Sequence, residues 1–223
     1  MIIIFSVIIA IVAFLLIFSS TKSNNSNERT REGYTYIPSQ EYAGLVGESE
    51  TNRYLSRLLR PDEYLLRNLL IPFNNGGSAE IDCVLITRKG IFCIETKKWA
   101  GYIKGTDDSE YWTQTYEDPN RTPKKNKNPV KQNEAHCRAL GRVLNHRYGI
   151  ANVVIFVDLK AFGGIYSTHA YTLLQFERSY DSLDDDLLTV EEIKQLYQKL
   201  TKYKATQEQM RKHNEEVRWK YHN

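Results

Sequence analysis

From Ile2 to Phe18 the chain reads IIIFSVIIAIVAFLLIF, with no charge and only Ser6 polar. A helix of this composition has no polar side to turn toward water, so it belongs in a protein interior or a bilayer. It would be about 25 Å long, close to the lower limit for crossing a hydrocarbon core of about 30 Å. A cleaved signal peptide is the competing reading. Only Met1 precedes the run, without Lys or Arg, and the run exceeds the usual apolar region of such peptides, so an uncleaved transmembrane anchor over residues 1–20 is expected. Lys22, Arg29 and Arg31 follow the block and nothing basic precedes it, which by the positive-inside rule places the carboxyl side in the cytoplasm. The expectation is a single-pass cell-membrane protein whose soluble part lies on the inner face.

Residues 21–40 are rich in Ser, Asn, Thr and charge and read as a flexible tether. The roughly 180 residues beyond it suffice for one domain with a real core. The boundaries expected from pattern are a domain over 41–176 and a helical extension over 177–223. Cys83, Cys93 and Cys137 are odd in number and widely spaced, which argues against a disulfide framework or a zinc site and suits a reducing compartment. Each reads most simply as a small buried apolar residue.

Within the soluble part, Gly44–Arg60 has helical rhythm (Val46, Tyr54, Leu55, Leu58, Leu59) and is closed by Pro61. Glu63–Pro72 reads as a strand, followed by a turn at Asn74–Ser78. The β-branched and aromatic runs Ala79–Arg88 and Ile91–Trp99 form a hairpin. Gly101–Asn128 reads as an irregular excursion with a short strand, and Gly163 as a turn. Pro129–Tyr148 carries one apolar stripe behind an initiating Pro129 and reads as a helix. Asn152–Val157 and Ala170–Phe176 read as strands, and Thr189–Glu192 is a capping box opening a further helix. This alternation indicates an α/β domain with a mixed sheet.

If Lys89 and Gly90 occupy a two-residue turn, Arg88 faces Ile91 and Asp82 faces Lys97. Residues two apart share a face of a strand, so Asp82, Glu95 and Lys97 project together. Two carboxylates and an amine on such apolar strands are costly unless they bind something. Converging carboxylates suit a hard divalent cation such as magnesium, with Lys97 beside an attacking water or a charged phosphate. Taken alone, a bare Asp and an E-x-K tripeptide read more simply as a surface ion pair of Glu95 and Lys97 on an edge strand with Asp82 a solubilising residue near a turn, and a register shifted by one residue would break the cluster.

The run Glu80-Ile81-Asp82, then Gly90–Lys97 (GIFCIETK), then Gly101–Gly105 (GYIKG) resembles the NERD, or nuclease-related domain, family. So do Gly44–Glu48 (GLVGE) upstream and Asn128–Asn133 (NPVKQN) with His136 downstream. That family is grouped with the PD-(D/E)xK nucleases, so the resemblance implies a restriction-endonuclease-like core, a mixed sheet flanked by helices. It also implies hydrolysis of phosphodiesters with Mg2+ or Mn2+. Asp82 and Glu95 match the metal-binding acids, Lys97 the lysine, Glu48 an acid on the first helix that supports the metal, and Gln132 a glutamine near the site. Ile81 stands where the superfamily signature has proline. His136 shares a helical face with Gln132 but is left out of the metal shell.

Charge is segregated along the chain. Arg121–Arg147 holds eight basic residues against one acid, Glu134, while Glu177–Glu192 holds seven acids and one base. The basic segment suits a phosphate backbone, with Lys124, Lys125, Lys127, Lys131 and Arg138 as contacts and Tyr111, Trp112 and Tyr116 as stacking partners. Anionic lipid is the other candidate for it. The expected function is a membrane-anchored, metal-dependent nuclease acting on DNA in preference to RNA. The alternative is a non-catalytic module on a nuclease fold that binds nucleic acid or a membrane partner.

Overall fold

The computed structural model describes residues 39–73 and 77–222. The expected anchor, nearly all of the tether and part of the turn before Ser78 lie outside the described residues. Among the described residues no helix is long and apolar enough to cross a membrane. The described elements are, in chain order, α1 (Ser39–Leu55), β1 (Tyr64–Pro72), β2 (Ser78–Thr87), β3 (Gly90–Lys97), β4 (Gly101–Thr106), β5 (Tyr111–Thr115) and β6 (Lys124–Lys127). They continue with α2 (Pro129–Val143), β7 (Ile150–Phe156), β8 (Leu159–Tyr166), β9 (Ala170–Thr172), α3 (Leu173–Asp181), α4 (Val190–Thr201) and α5 (Gln207–His222). The strands form two mixed sheets, in the orders β1-β2-β3-β7-β9 and β6-β5-β4-β8.

In the larger sheet β1, β2 and β3 are antiparallel, and β7 and β9 add in parallel to β3. One face packs against α2 and α4, where Leu66, Val84, Ile86 and Cys93 meet Ala139, Leu140, Ile193 and Leu200. The segment read as a carboxyl-terminal extension therefore contributes Leu188, Ile193, Leu196 and Leu200 to this core. The other face puts Phe92, Ile94, Val153 and Ile155 against Leu55 of α1 and Phe176 and Tyr180 of α3. Each such side chain removed from water contributes about 1.5–3 kcal/mol before entropy is counted. Cys83 and Cys93 are buried free thiols, and Cys137 is half-buried.

Three local readings differ from the structure. Gly101–Asn128 is not irregular, since β4, β5 and β6 form most of the smaller sheet. Its alternation is plain in β4, where Ile103 is buried while Tyr102, Lys104 and Thr106 are exposed, but a Lys- and Thr-rich outer face hides it from a hydrophobic scan. Gly163 lies within β8, not a turn. β8 runs so close to β4 that a Cβ on Gly164 would fall 2.6 Å from the Ile103 carbonyl oxygen. Ala170–Phe176 stops being strand after three residues. Thr172 and Gln175 form a capping box there and start α3, a signal present in the sequence as T-x-x-Q.

The two sheets meet through Ile103, Trp112 and Ile165 of the smaller one, which pack on Val154 and Phe156 of β7 and Val130 of α2. Trp112 stacks on Phe156 with ring centroids 5.8 Å apart and donates its indole N–H to the Thr106 carbonyl at 2.9 Å. At 0% exposure it is a core residue, so the expectation that it stacks on bases is corrected. An apolar ring of that size, with its one donor satisfied inside, is most stable out of water.

The hairpin also departs from its expected register. Thr87 pairs with Gly90 and Cys83 with Ile94, so the turn is Arg88–Lys89 and Asp82 comes level with Glu95, not Lys97. Gly90 takes φ 121°, a left-handed conformation that favours glycine and lets a short turn close. The slip is two residues, an even number, so it leaves the facing of Glu95 and Lys97 unchanged. A second irregularity sits at Asp82 itself. The β1–β2 ladder pairs Arg67 with Cys83 and Leu69 with Ile81 but skips Asn68 and Asp82, and Asn68 has φ 55°. Across that gap the buried alternation changes phase: Val84 and Ile86 lie in the same core cluster as Ala79 and Ile81. Such breaks in a ladder free a side chain from the sheet's regular facing.

Candidate active site

Asp82, released at this break, turns its carboxylate to β3 and accepts the Thr96 N–H at 2.7 Å. Glu95, next to Thr96 on β3, is only 3% exposed although its neighbours on β2, Glu80 and Asp82, are also acidic. Its Oε1 accepts from Lys97 Nζ at 2.5 Å and from Gln132 Nε2 at 2.9 Å. Gln132 in turn accepts from the same ammonium at 3.2 Å, so its amide bridges acid and base with each end matched to its partner's charge. The other oxygen, Oε2, is buried without a hydrogen bond and lies 3.3 Å from His136 Nδ1, which is likewise without a hydrogen bond.

Gln132 and His136 reach Glu95 because α2 is pinned to the sheet. Asn128 caps the helix, its Oδ1 accepting Val130 N–H at 2.9 Å, while its amide donates to the carbonyls of Thr106, Asp107 and Ser109 in the β4–β5 turn. One residue after Gln132, Asn133 is fully buried. Its amide donates to Cys93 O at 2.8 Å, Asn152 Oδ1 at 2.8 Å and Val153 O at 3.0 Å, tying α2 to β3 and β7 together. Asn133 appeared in the sequence only as part of a motif, yet its position beside Gln132 sets the register of helix on sheet.

Asp82, Glu95, Gln132 and His136 line a cavity of about 900 Å³ together with Glu80, Lys127 and Lys131. Glu48 of α1 adjoins the group from another side, opening on a hollow with Asn52, Arg67 and Lys204. The helix approaches closely there: a Cβ on Gly47 would meet Lys98 Cβ and Val157 Cγ2 at 3.0 Å. Lys124 and Lys125 are exposed on the edge strand β6. Arg138 is not brought to the cavity and pairs with Glu134 in solvent. The acidic run does not act as a free tail either, since Asp185 pairs with Arg60 at 2.5 Å and with Lys89 at 3.3 Å beside the hairpin turn.

Electrostatically the acids compete. Burial and the charges of Glu95 and Glu48 push the Asp82 carboxyl well above its usual range, against Lys97 and the Thr96 N–H. Burial and then Glu95 raise Glu48 as well. Glu80 is pushed up to about 7 by burial and by the charges of Glu48 and Glu95. Glu95 alone goes the other way: burial opposes its ionisation, but the Lys97 ammonium and the His136 ring bring it down to about 2. Burial disfavours the Lys97 ammonium, yet Glu95 and Asp82 more than compensate and raise it. Four carboxyl groups held around one ammonium form a site with excess negative potential, in which a cation would relieve mutual repulsion.

Two contributors were not singled out by sequence reasoning. Glu80 was quoted only within a motif. His213 of α5 is placed with Nδ1 3.1 Å from Ser78 Oγ and Nε2 3.7 Å from Glu80 Oε2, and it lines the cavity with Val217. The chain reaches that position because residues 203–205 run along β1, with Leu70 N–H donating to Tyr203 O and Ala205 N–H to Asn68 O.

Residues 43–157 match the family model for the nuclease-related domain. The chain belongs to the NERD family. The match spans α1, the hairpin, the smaller sheet through β6, α2 and β7, and so includes Glu48, Asp82, Glu95, Lys97 and Gln132. The NERD chain is also 26% identical over 162 residues to the uncharacterized protein pXO1-01 of Bacillus anthracis, covering 70% of this chain and 74% of the relative. No solved structure matches it. Membership suggests a nuclease-related function. Among the described residues no group of three or more His, Cys, Asp or Glu side chains is placed to hold a metal ion. The carboxylates of Asp82 and Glu95 that line one cavity are donors of the kind magnesium takes when it keeps most of its waters.

Proposed function

We propose that this chain is a membrane-anchored, metal-dependent nuclease that hydrolyses phosphodiester bonds, with DNA favoured over RNA, and that Ile2–Phe18 is the anchor holding it at the inner face of the cell membrane. The observation that carries the reading is Glu95: a buried carboxylate with one oxygen fixed by Lys97 and Gln132 and the other facing His136 Nδ1 at 3.3 Å, in a cavity that Asp82 shares. The order of Asp82, Glu95 and Lys97 on two adjacent strands supports a PD-(D/E)xK assignment and a restriction-endonuclease-like core. Asp82 and Glu95 would hold Mg2+ or Mn2+, with Glu48 in support. The bound cation supplies Lewis acidity toward the phosphoryl oxygen and lowers the pKa of a water.

The chain's own groups do the rest. Gln132 holds the Glu95 carboxylate and the Lys97 ammonium in fixed relation, so neither must reorganise as charge develops. With its ammonium stabilised by Glu95 and Asp82, Lys97 is suited to offset negative charge on the phosphoryl group and to orient water, not to remove its proton. Lys127 and Lys131 on the cavity wall supply positive charge for the flanking phosphates.

One observation favours the second reading, a non-catalytic nucleic-acid-binding module: Lys97 occupies the Glu95 oxygen nearest Gln132, and among the described residues no group of three or more His, Cys, Asp or Glu is placed to hold a metal ion. Plasmid and linear DNA incubated with full-length protein, with and without Mn2+, separate the two. Manganese-dependent cleavage that disappears in Glu95→Gln and Lys97→Ala is expected. Cleavage indifferent to both substitutions would overturn the mechanism, and DNA binding without turnover would select the second reading.

A further inference from the structure

Among the described residues no element packs on the outer face of the smaller sheet, and its composition is ordered. On β5, Trp112 and Gln114 point into the protein, leaving Tyr111, Thr113 and Thr115 outward, and on β4 Tyr102, Lys104 and Thr106 face outward. Lys127 pairs with Tyr111, and Thr106 with Tyr166. Lys104 pairs with Thr113, which carried two residues further sets Thr106 opposite Tyr111. One row across the sheet thus runs Lys127, Tyr111, Thr106, Tyr166. The next runs Lys125, Thr113, Lys104. Tyr111 is 47% exposed and Tyr166 71%, and one strand, β4, lies between theirs, so two inter-strand spacings, about 10 Å, separate them. The rows lie about 7 Å apart.

The strand positions of these two rows carry three lysines and no acid. Acids flank the rows: Asp107, Asp108 and Glu110 belong to the β4–β5 turn, where Asp107 is held by His169, and Glu117 accepts from the outward Tyr102 hydroxyl at 3.4 Å. Lys127 is also a wall of the carboxylate cavity, so the aromatic row ends at the site. A polyanion fits the lysines. Exposed rings on a sheet can be used only by bases that offer a free face, and in a duplex each base face is already stacked on its neighbours. A lipid surface would call for Leu, Phe or Trp to insert, whereas Thr and Lys separate the tyrosines here.

We infer that this face is a platform for single-stranded nucleic acid, on which bases stack against Tyr111 and Tyr166 while the backbone follows Lys104 and Lys125 and the strand continues past Lys127 into the cavity. The inference rests on the nuclease reading for what happens in the cavity and names its substrate as unpaired strand. Fluorescence anisotropy tests it with full-length protein in EDTA, where no turnover occurs, using labelled single-stranded and duplex DNA of equal length. Single strand should bind at least tenfold more tightly than duplex. Tyr111→Ala and Tyr166→Ala should each weaken it about tenfold, as loss of one stacked base does. Lys104→Gln and Lys125→Gln should each reduce the salt slope by about 0.7. Equal affinity for duplex, tyrosine variants that bind like wild type, or binding confined to vesicles of anionic phospholipid would each overturn it. Binding as expected with no cleavage in Mn2+ would fault the nuclease reading alone, and cleavage without single-strand preference would fault the platform alone.

Discussion

Replacing Asn133 with alanine tests the packing that assembles the site. The residue is fully buried, and its amide contacts three acceptors on three different residues within 3.0 Å. An amide has two N–H groups, so at most two of these bonds are strong at once, worth about 1 kcal/mol each in net terms. The larger cost lies in what is left behind. The Asn152 side chain and the Cys93 and Val153 carbonyls lose a donor in a region closed to water, at about 1–3 kcal/mol for each group that finds no substitute. Asn152 keeps its donation to Val130 O, and both carbonyls belong to residues of paired strands, so partial compensation is expected. A loss of roughly 3–4 kcal/mol follows, a large fraction of the stability of a typical domain. Urea unfolding followed by tryptophan fluorescence reads this as a lowered midpoint at unchanged slope. Asn133→Asp should be at least as damaging, because it removes the donors and adds a buried charge. A midpoint shift worth less than about 1 kcal/mol for Asn133→Ala would refute the view that this amide clamps α2 to the sheet.

Other expectations are as specific. Gly105→Ala should destabilise by about 1–3 kcal/mol, since its Cβ would fall 2.3 Å from the Trp112 ring; an unchanged melting temperature would show that Trp112 is not wedged against β4. For Glu80, whose carboxyl is raised from 4.5 to about 7, the contribution to stability is fully present below pH 4.5 and is lost as pH rises through about 7. Glu80→Gln without divalent ions should therefore gain roughly 1–3 kcal/mol over wild type at pH 8 and nearly nothing at pH 4, and equal gains at both would contradict the assigned burial and repulsion. Burial pushes the Cys83 and Cys93 thiols up, so a thiol reagent at pH 8 should label them only on unfolding; rapid labelling of either in the native protein would contradict their place in the core.

Much of the site was legible because it is built from short-range pattern. The hairpin, the helix beginning at Pro129 and the two-residue spacing of Glu95 and Lys97 are local facts, and an error of two in the register cannot move a side chain to the other face. The break at Asn68 and Asp82 was not legible, since a positive φ at an Asn and a skipped ladder pair leave no trace in hydrophobic periodicity. Trp112 was misread because exposure was inferred from its polar neighbours. Those neighbours turn out to be the outer face of a sheet whose inner face it fills. His213 meets Ser78 across 135 positions, a contact no local pattern encodes. The role of Asn133 was hidden for a different reason: a polar residue on a helix looks solvated until the partners that satisfy it are known.

The central claim is that Asp82 and Glu95 together hold a divalent cation, and calorimetric titration of Mn2+ into the full-length protein at pH 7.5 tests it most directly. One site per chain is predicted in the wild type, abolished or weakened at least tenfold in Glu95→Gln and in Asp82→Asn and restored toward wild type by neither partner alone. Undiminished Mn2+ binding in both variants, or none in the wild type, would contradict it.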